Sequence, residues 1–304
     1  MKFPVINMKF IKRYEAAPLR VFTTVPFLLR TFLITGCICL LSCDKIEGPY
    51  GEKVKVNVDT GTVKRKVLLE DFTGHTCGNC PEAAAITEQL HSLYGEQIVP
   101  VCIHVGFFAD PAGSKYSANY KTTAGTDLAA FYGIGDVLPK GMVNRKDFDG
   151  KKVLDHQDWP SKVAPLVNQQ ADLSVAISPT YTAASRKMEV TLDFKLLHDV
   201  PEQLYYLLYL LEDSLQSPQK NYALPEGEVL NYYHRYVLRT SLNGSWGATI
   251  SNGNNLSAGQ TFKTEHTYTL PAQWNEKRMS LVAIVYRASD REVIQVENAK
   301  VWAP

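Results

Sequence analysis

An α/β domain followed by an all-β sandwich domain is the fold class this sequence predicts. Three observations predict it. Over residues 66–105 a short apolar run, a helix-period segment and a second apolar run follow one another. Beyond Ala171 the helical period disappears and alternating apolar and polar residues replace it. The 304 residues, 45% hydrophobic and 21% charged, have an ordinary globular composition and a length suited to roughly two domains.

The first 42 residues stand apart. They hold six basic side chains and one acid, and after Arg30 they run TFLITGCICLLSC. A basic flank, a short apolar core and a small residue before the cut make a secretory signal, and the stretch is short for a membrane span of about 20 residues. Leu40-Leu41-Ser42-Cys43 resembles a bacterial lipobox, which implies cleavage before Cys43 and lipidation of its thiol. The alternative is an uncleaved N-terminal anchor. Residues 43–62 are polar, contain Gly and Pro, and read as a tether. The rest of the chain is mildly acidic and carries no basic stripe, so no nucleic-acid partner is expected.

Residues 63–170 form the predicted α/β domain. Lys66-Val67-Leu68-Leu69 suits a strand covered on both faces. Residues 81–95 read as a helix, with Ile86, Leu90 and Leu93 on one face and Gly95 as its stop. Ile98 to Val105 is a second strand, which completes a βαβ unit with a parallel pair. Residues 106–127 carry turn formers and look like an insertion; residues 128–132 suggest a short helix, 137–145 a turn into a strand, and 158–171 a closing helix. Residues 171–304 form the predicted sandwich. LSVAIS, MEVTLDFKL, LYYLLYLLED, YYHRYVLRTS, TFKTEHTYTL, SLVAIVYRA and EVIQVENAKVW are separated by Gly, Asn, Asp and Pro.

Cysteine placement narrows the chemistry. The chain has six; Cys37 and Cys39 would leave with the signal and Cys43 would carry lipid, leaving Cys77, Cys80 and Cys102. Three are too few for a disulfide scaffold. Cys77 and Cys80 fall in LLEDFTGHTCGNCPEAAA, where a strand gives way to a helix. A zinc clamp, a structural disulfide and a redox-active dithiol each fit that pair. Cys102 and His104 share a strand face and would complete a nominal Cys₃His set, although structural zinc usually gathers its ligands on short knuckles. A bridge closing so small a loop adds little stability. A thiol at a helix N-terminus has its anion stabilised by unpaired N–H groups and the helix dipole, which favours Cys77 as nucleophile and Cys80 as its resolving partner. No metal and no dissociable cofactor is expected on that reading.

Asp71-Phe72, four further residues and Cys77-Gly78-Asn79-Cys80 resemble the thioredoxin active-site region. The resemblance implies a thioredoxin-like α/β domain over residues 63–170, with Asp71 as a buried proton acceptor; Glu70 is a rival for that place. Tyr132-Gly133-Ile134 before Pro139 resembles the segment preceding that family's cis-proline, which implies a cis Leu138–Pro139 bond facing the dithiol and shaping a substrate groove. Thr76 in place of the usual Trp, and Gly-Asn in place of Gly-Pro, leave the redox direction open.

The second half carries another resemblance. LYYLLYLLEDSLQSPQ, YYHRYVLRTSLNGSWG and EVIQVENAKV are similar to an outer-membrane lipoprotein family of Bacteroides-type bacteria named for a twenty-eight-kilodalton antigen. That resemblance covers residues 63–304, fits the lipobox and implies a lipid-anchored location at the outer membrane, facing the periplasm or the outside. Tyr205, Tyr206, Tyr209, Tyr232, Tyr233 and Tyr236, with His234 and Arg235, could form an aromatic ligand platform; packing is the commoner use of such residues.

Two functions follow as expectations. The leading one is a lipid-anchored extracytoplasmic thiol–disulfide oxidoreductase, with Cys77 attacking, Cys80 resolving, Asp71 moving the proton and Pro139 positioning a partner. Its partners would be protein thiols or disulfides, or a membrane electron donor. The alternative is a surface binding or adhesin-type lipoprotein in which the first half is a scaffold.

Overall fold

Every residue of Val67–Thr73 is buried, and the segment forms β1, a strand covered on both faces. The structure, a computed structural model, describes residues 63–253 and 255–302. The signal segment, the Cys43 lipid site and the tether to residue 62 lie outside the described residues. After β1 come α1 (Cys80–Tyr94), β2 (Ile98–His104), α2 (Thr123–Tyr132), β3 (Lys140–Val143) and the short α3 (Trp159–Val163). β1 pairs with β2 in parallel and with β3 antiparallel.

The expected closing helix over residues 158–171 stops early. Pro165 has no N–H to donate and its ring crowds the carbonyl four residues back, so α3 gives way to a 3₁₀ turn at Ala164–Leu166. Elsewhere helix boundaries follow local chemistry. Thr122 caps α2 by accepting from the Gly125 amide at 3.0 Å, and Gly133 ends it in the left-handed conformation at φ 67°.

The remaining strands are β4 (Leu173–Thr182), β5 (Lys187–Leu196), β6 (Leu204–Glu212), β7 (Leu215–Lys220), β8 (Glu228–His234), β9 (Val237–Ser241), β10 (Ala248–Thr249), β11 (Thr261–Thr269), β12 (Met279–Arg287) and β13 (Val293–Lys300). They sort into three sheets. β11-β5-β4 is a three-stranded sheet and β7-β8 a two-stranded hairpin. The largest sheet has eight strands in the order β13-β12-β6-β9-β2-β1-β3, with β10 added to β6.

That order corrects the expected fold class. A self-contained thioredoxin-like α/β domain followed by a separate all-β sandwich is not what forms. The molecule is mostly β, and strands from both halves belong to one mixed sheet. The join is narrow: Cys102 of β2 lies opposite Val237 of β9, and the Cys102 amide donates to the Tyr236 carbonyl at 2.8 Å. The apolar packing is wider than the join. Leu68, Phe72, Val101 and Ile103 share a core with Leu207, Tyr209, Val282 and Ile284, so β6 and β12 bury one face against the first half. Their other face, through Leu208, Leu210, Leu281 and Ala283, packs with β4 and β5. Burial on both faces explains why β6 reads as the continuous run LYYLLYLLE instead of alternating.

A buried ion pair ties the same junction. Arg145 donates from Nε to Glu70 Oε2 at 2.9 Å and from Nη2 to Oε1 at 2.6 Å, with both side chains fully buried. Its guanidinium carbon sits 5.7 Å from the Tyr286 ring centroid. Thus a strand of the first half, the turn after β3 and a strand of the second half meet around one charge pair.

Candidate functional site

Along β1 the side chains alternate, and the two adjacent acids part company. Glu70 points to the shared core and is held by Arg145, whereas Asp71 points to the α1 side and lines a cavity of about 330 Å³. The floor of the cavity is the C-terminal end of the parallel pair, where Asp71, Cys102 and His104 present their side chains. One wall is α1, through Cys80 and Ala84; the other is the end of β8 and the turn into β9, through Tyr232 and His234. Both halves of the chain are needed to make it.

The polar groups of this cavity are short of partners. Asp71 is 1% exposed; the Cys102 thiol lies 3.9 Å from its Oδ2, and its Oδ1 has no hydrogen bond. Burial pushes its carboxyl up to about 7, against which the weak thiol contact does little. The neighbouring Cys102 thiol is free and is pushed well up, first by burial and then by Asp71. His104 is 2% exposed, neither ring nitrogen has a partner, and burial holds it well below the usual imidazole range. His234 is lowered to about 4, mainly by burial and then by His75, with backbone groups of Ser217 and Pro218 opposing. Its Nε2 is unpartnered. The rings of His104, His234, Tyr120 and Tyr232 touch edge to face or tilted, at centroid distances of 4.9–5.4 Å.

The cysteine pair sits beside this cavity, closed. Cys77 and Cys80 form a disulfide, and each is 2% exposed. α1 begins at Cys80, so Cys77 lies in the turn before the helix, not at its first residue. The β7–β8 hairpin is clamped over that turn. The Lys220 amide donates to the His75 carbonyl and the Tyr222 amide to the Gly78 carbonyl, both at 2.9 Å. Gln219 Nε2 donates to the Cys77 carbonyl at 2.8 Å and to the Gly74 carbonyl at 3.2 Å. The Tyr222 ring lies so close on Gly78 that a Cβ there would come within 2.4 Å of it. The Leu138–Pro139 bond is cis, and Leu138 joins the apolar cluster that holds Cys77 and Cys80.

The sequence-predicted residues therefore divide. Asp71 and Cys80 line the cavity, while Cys77 and Leu138–Pro139 lie in or beside the packed core behind it. His104, named in the sequence as a possible zinc ligand, is buried with neither ring nitrogen hydrogen-bonded. Cys77 and Cys80 are taken up by their disulfide, and no group of three or more His, Cys, Asp or Glu among the described residues is placed to hold a metal ion. Gln219, Tyr232 and His234 carry more of the site than their sequence setting suggested. The spacing of Cys102 and His104 was the one local signal; His234 reaches them only through the β9–β2 join.

The comparisons with known proteins bear on the same question. A family model described as outer membrane protein Omp28 matches residues 127–303, more than half of the chain. The structure of HBP35 of Porphyromonas gingivalis is similar at a TM-score of 0.61, with 19% identity, covering 79% of this chain and 76% of that one. That similarity is one of fold. A domain of the outer membrane lipoprotein Omp28 from Porphyromonas gingivalis matches with 23% identity and a TM-score of 0.30, covering 43% of this chain and 88% of that chain. No curated protein sequence matches.

These findings overturn the expected thiol–disulfide oxidoreductase. Cys77 must reach a partner's sulfur, and here it is 2% exposed and lies beneath a hydrogen-bonded hairpin. The matching family is described as an outer membrane protein, and that description names no redox activity. Its location at the outer membrane agrees with the sequence expectation, and no helix among the described residues is long and apolar enough to cross a membrane. On the extent of the family match, this chain belongs to the Omp28 outer membrane protein family.

Proposed function

We propose that the protein is a binding lipoprotein of the outer membrane, tethered by lipid on Cys43, in which the β1–α1–β2 layer is a scaffold and not a catalyst. The observation that carries this reading is the cavity between α1 and the end of β8, with four buried polar atoms on Asp71, His104 and His234 left without partners. A buried polar atom without a partner costs about 1–3 kcal/mol, so a cavity that keeps several of them gains when a ligand satisfies them. At about 330 Å³ it falls at the small end of ligand sites, which run from about 300 to 1,000 Å³. The disulfide and the docked hairpin then have a structural role: they hold one wall of the cavity in place.

The test is a variant that fills the space. Ala84→Phe places a ring in the cavity from the α1 side. Wild-type protein purified from its own cells, examined by native mass spectrometry and by thermal shift against a small-molecule panel, should show a bound or stabilising compound that the variant lacks. Identical behaviour of the two proteins would remove the cavity as the seat of function.

A further inference from the structure

We infer that the cavity between α1 and the β8–β9 turn takes a primary ammonium group on a small apolar body, with Asp71 as its counter-ion and imidazole nitrogens of His104 and His234 accepting its other N–H bonds. The inference rests on the cavity being a binding site and names the chemistry of what enters it.

Besides the Thr87 hydroxyl, which can donate or accept, the atoms left open in the cavity lie on Asp71, His104 and His234 and are rich in acceptors. Asp71 Oδ1 is buried with no hydrogen bond, and no cation among the described residues pairs with this carboxylate. Among the described residues its one hydrogen-bond partner is the Cys102 thiol. His234 Nε2 is open while backbone groups of Ser217 and Pro218 engage the ring elsewhere, so the imidazole proton belongs on the other nitrogen and Nε2 offers a lone pair. His104 is neutral with both nitrogens open, which leaves one lone pair and one N–H. A primary ammonium has three N–H donors and no acceptor, and three acceptors stand in the cavity to receive them.

Charge sets an ammonium apart from the other ligand classes. An anion would have to enter beside Asp71 without a free cation to meet it. The two nearby guanidiniums are engaged: Arg235 pairs with Glu88 at 3.0 Å and with Asp213 at 3.4 Å, and Arg239 with Glu212 at 3.5 Å. A neutral hydrogen-bonding ligand meets Asp71 as a carboxylic acid below about pH 7 and supplies no counter-charge above it, whereas an ammonium supplies one. A metal ion would need a cluster of three or more donor side chains, which the described residues do not offer. The remaining surface suits a cation with an apolar body. Tyr232, Tyr233 and Tyr236 present ring surface, and Pro81, Ala84 and Ala85 present aliphatic surface from α1. The Arg235–Glu88 pair spans from the β8–β9 turn to α1 and forms a polar rim.

The test compares two isosteres on the full chain at pH 8. Benzylammonium chloride and benzyl alcohol are titrated by calorimetry, and the ring protons of His104 and His234 are followed by NMR. Benzylammonium should bind at least tenfold more tightly than the alcohol and shift both histidine signals, and Asp71→Asn should weaken its binding at least tenfold while leaving the alcohol unaffected. The wild-type comparison needs no variant, so the inference stays open to refutation if Asp71→Asn does not fold. Equal binding of the two probes with histidine shifts would overturn the ammonium assignment and keep the cavity as a ligand site. Benzylammonium that binds without moving either histidine, or does not bind at all, would also overturn it. The broader binding reading falls only if the Ala84→Phe comparison is flat as well.

Discussion

At the scale of single residues, the cavity sets two kinds of titration against each other. Asp71 has a folded pKa of about 7 against an ordinary 3.8, because burial disfavours its charge. Its contribution to stability is therefore complete below pH 3.8 and is lost as pH rises through 7. The histidines run the other way. His234 is lowered from 6.5 to about 4, and His75 and His104 are lowered too, all chiefly by burial. Their contributions are present above 6.5 and are lost as pH falls through the folded values. Between about pH 4 and 7 the two effects partly cancel in the wild type. Asp71→Asn removes one of them, so the variant should lose more stability on acidification from pH 8 to pH 4 than the wild type does. The gap should change by an amount on the order of 2–4 kcal/mol, since each unit of pKa shift is worth about 1.4 kcal/mol. Denaturant titrations at pH 4, 6 and 8 measure it, and parallel stability curves for the two proteins would show that Asp71 is not buried as a carboxylic acid. Nothing in the local sequence distinguishes Asp71 from Glu70. The alternation of β1 does so only once Arg145 is known to approach from the other face.

Among the elements, the β7–β8 hairpin decides what the cysteine pair can do. A two-stranded hairpin is marginal on its own, and this one is irregular: its register shifts between Ser217 and Gln219, around Pro218, which has no N–H for the ladder. Its position depends on docking to the 74–78 turn, and Gln219 supplies much of that docking. The side chain is 3% exposed and donates to the carbonyls of Gly74, Cys77 and Lys220. Gln219→Ala should cost about 1–3 kcal/mol, because the buried Gly74 and Cys77 carbonyls each lose a donor. It should also speed hydrogen exchange at the Tyr222 and Lys220 amides, which bond to Gly78 and His75, more than at amides of β6. Unchanged exchange at Tyr222 would mean that the hairpin is held by strand pairing alone. The βαβ start was legible from the sequence because its signals are local: an apolar run, a helical period, Gly95 and a second apolar run. The hairpin was not. LQSPQK has neither alternation nor a β-branched residue, and its partner surface is a turn more than a hundred residues earlier. That unseen cover is what separates a reactive dithiol from a buried disulfide.

For the whole molecule, the change of periodicity near residue 170 does not divide the main sheet in two. The periodicity does change there, and β4 begins at Leu173. Yet the strands on either side are not independent. Leu68, Phe72 and Ile103 share their apolar cluster with residues of β6, β9, β12 and β13 from the second half. Glu70 and Arg145 would lose the Tyr286 ring over their ion pair if the second half were absent. Long-range pairing of this kind leaves no trace in a window of neighbouring residues; the join itself is a single bridge between Cys102 and Val237. It does leave a prediction. Two separate domains would melt as two events, whereas a shared core and one sheet should melt as one. Trp159 lies fully buried in the first half, and Trp246, Trp274 and Trp302 lie in the second, so fluorescence can follow the halves separately. In denaturant, a variant that keeps only Trp159 and one that lacks only Trp159 should show coincident midpoints. Arg145→Ala, which strands a buried Glu70, should move both midpoints together by an amount on the order of 3–5 kcal/mol. Midpoints that separate, or an Arg145→Ala shift confined to Trp159, would restore two independently folding domains and detach the cavity walls from each other.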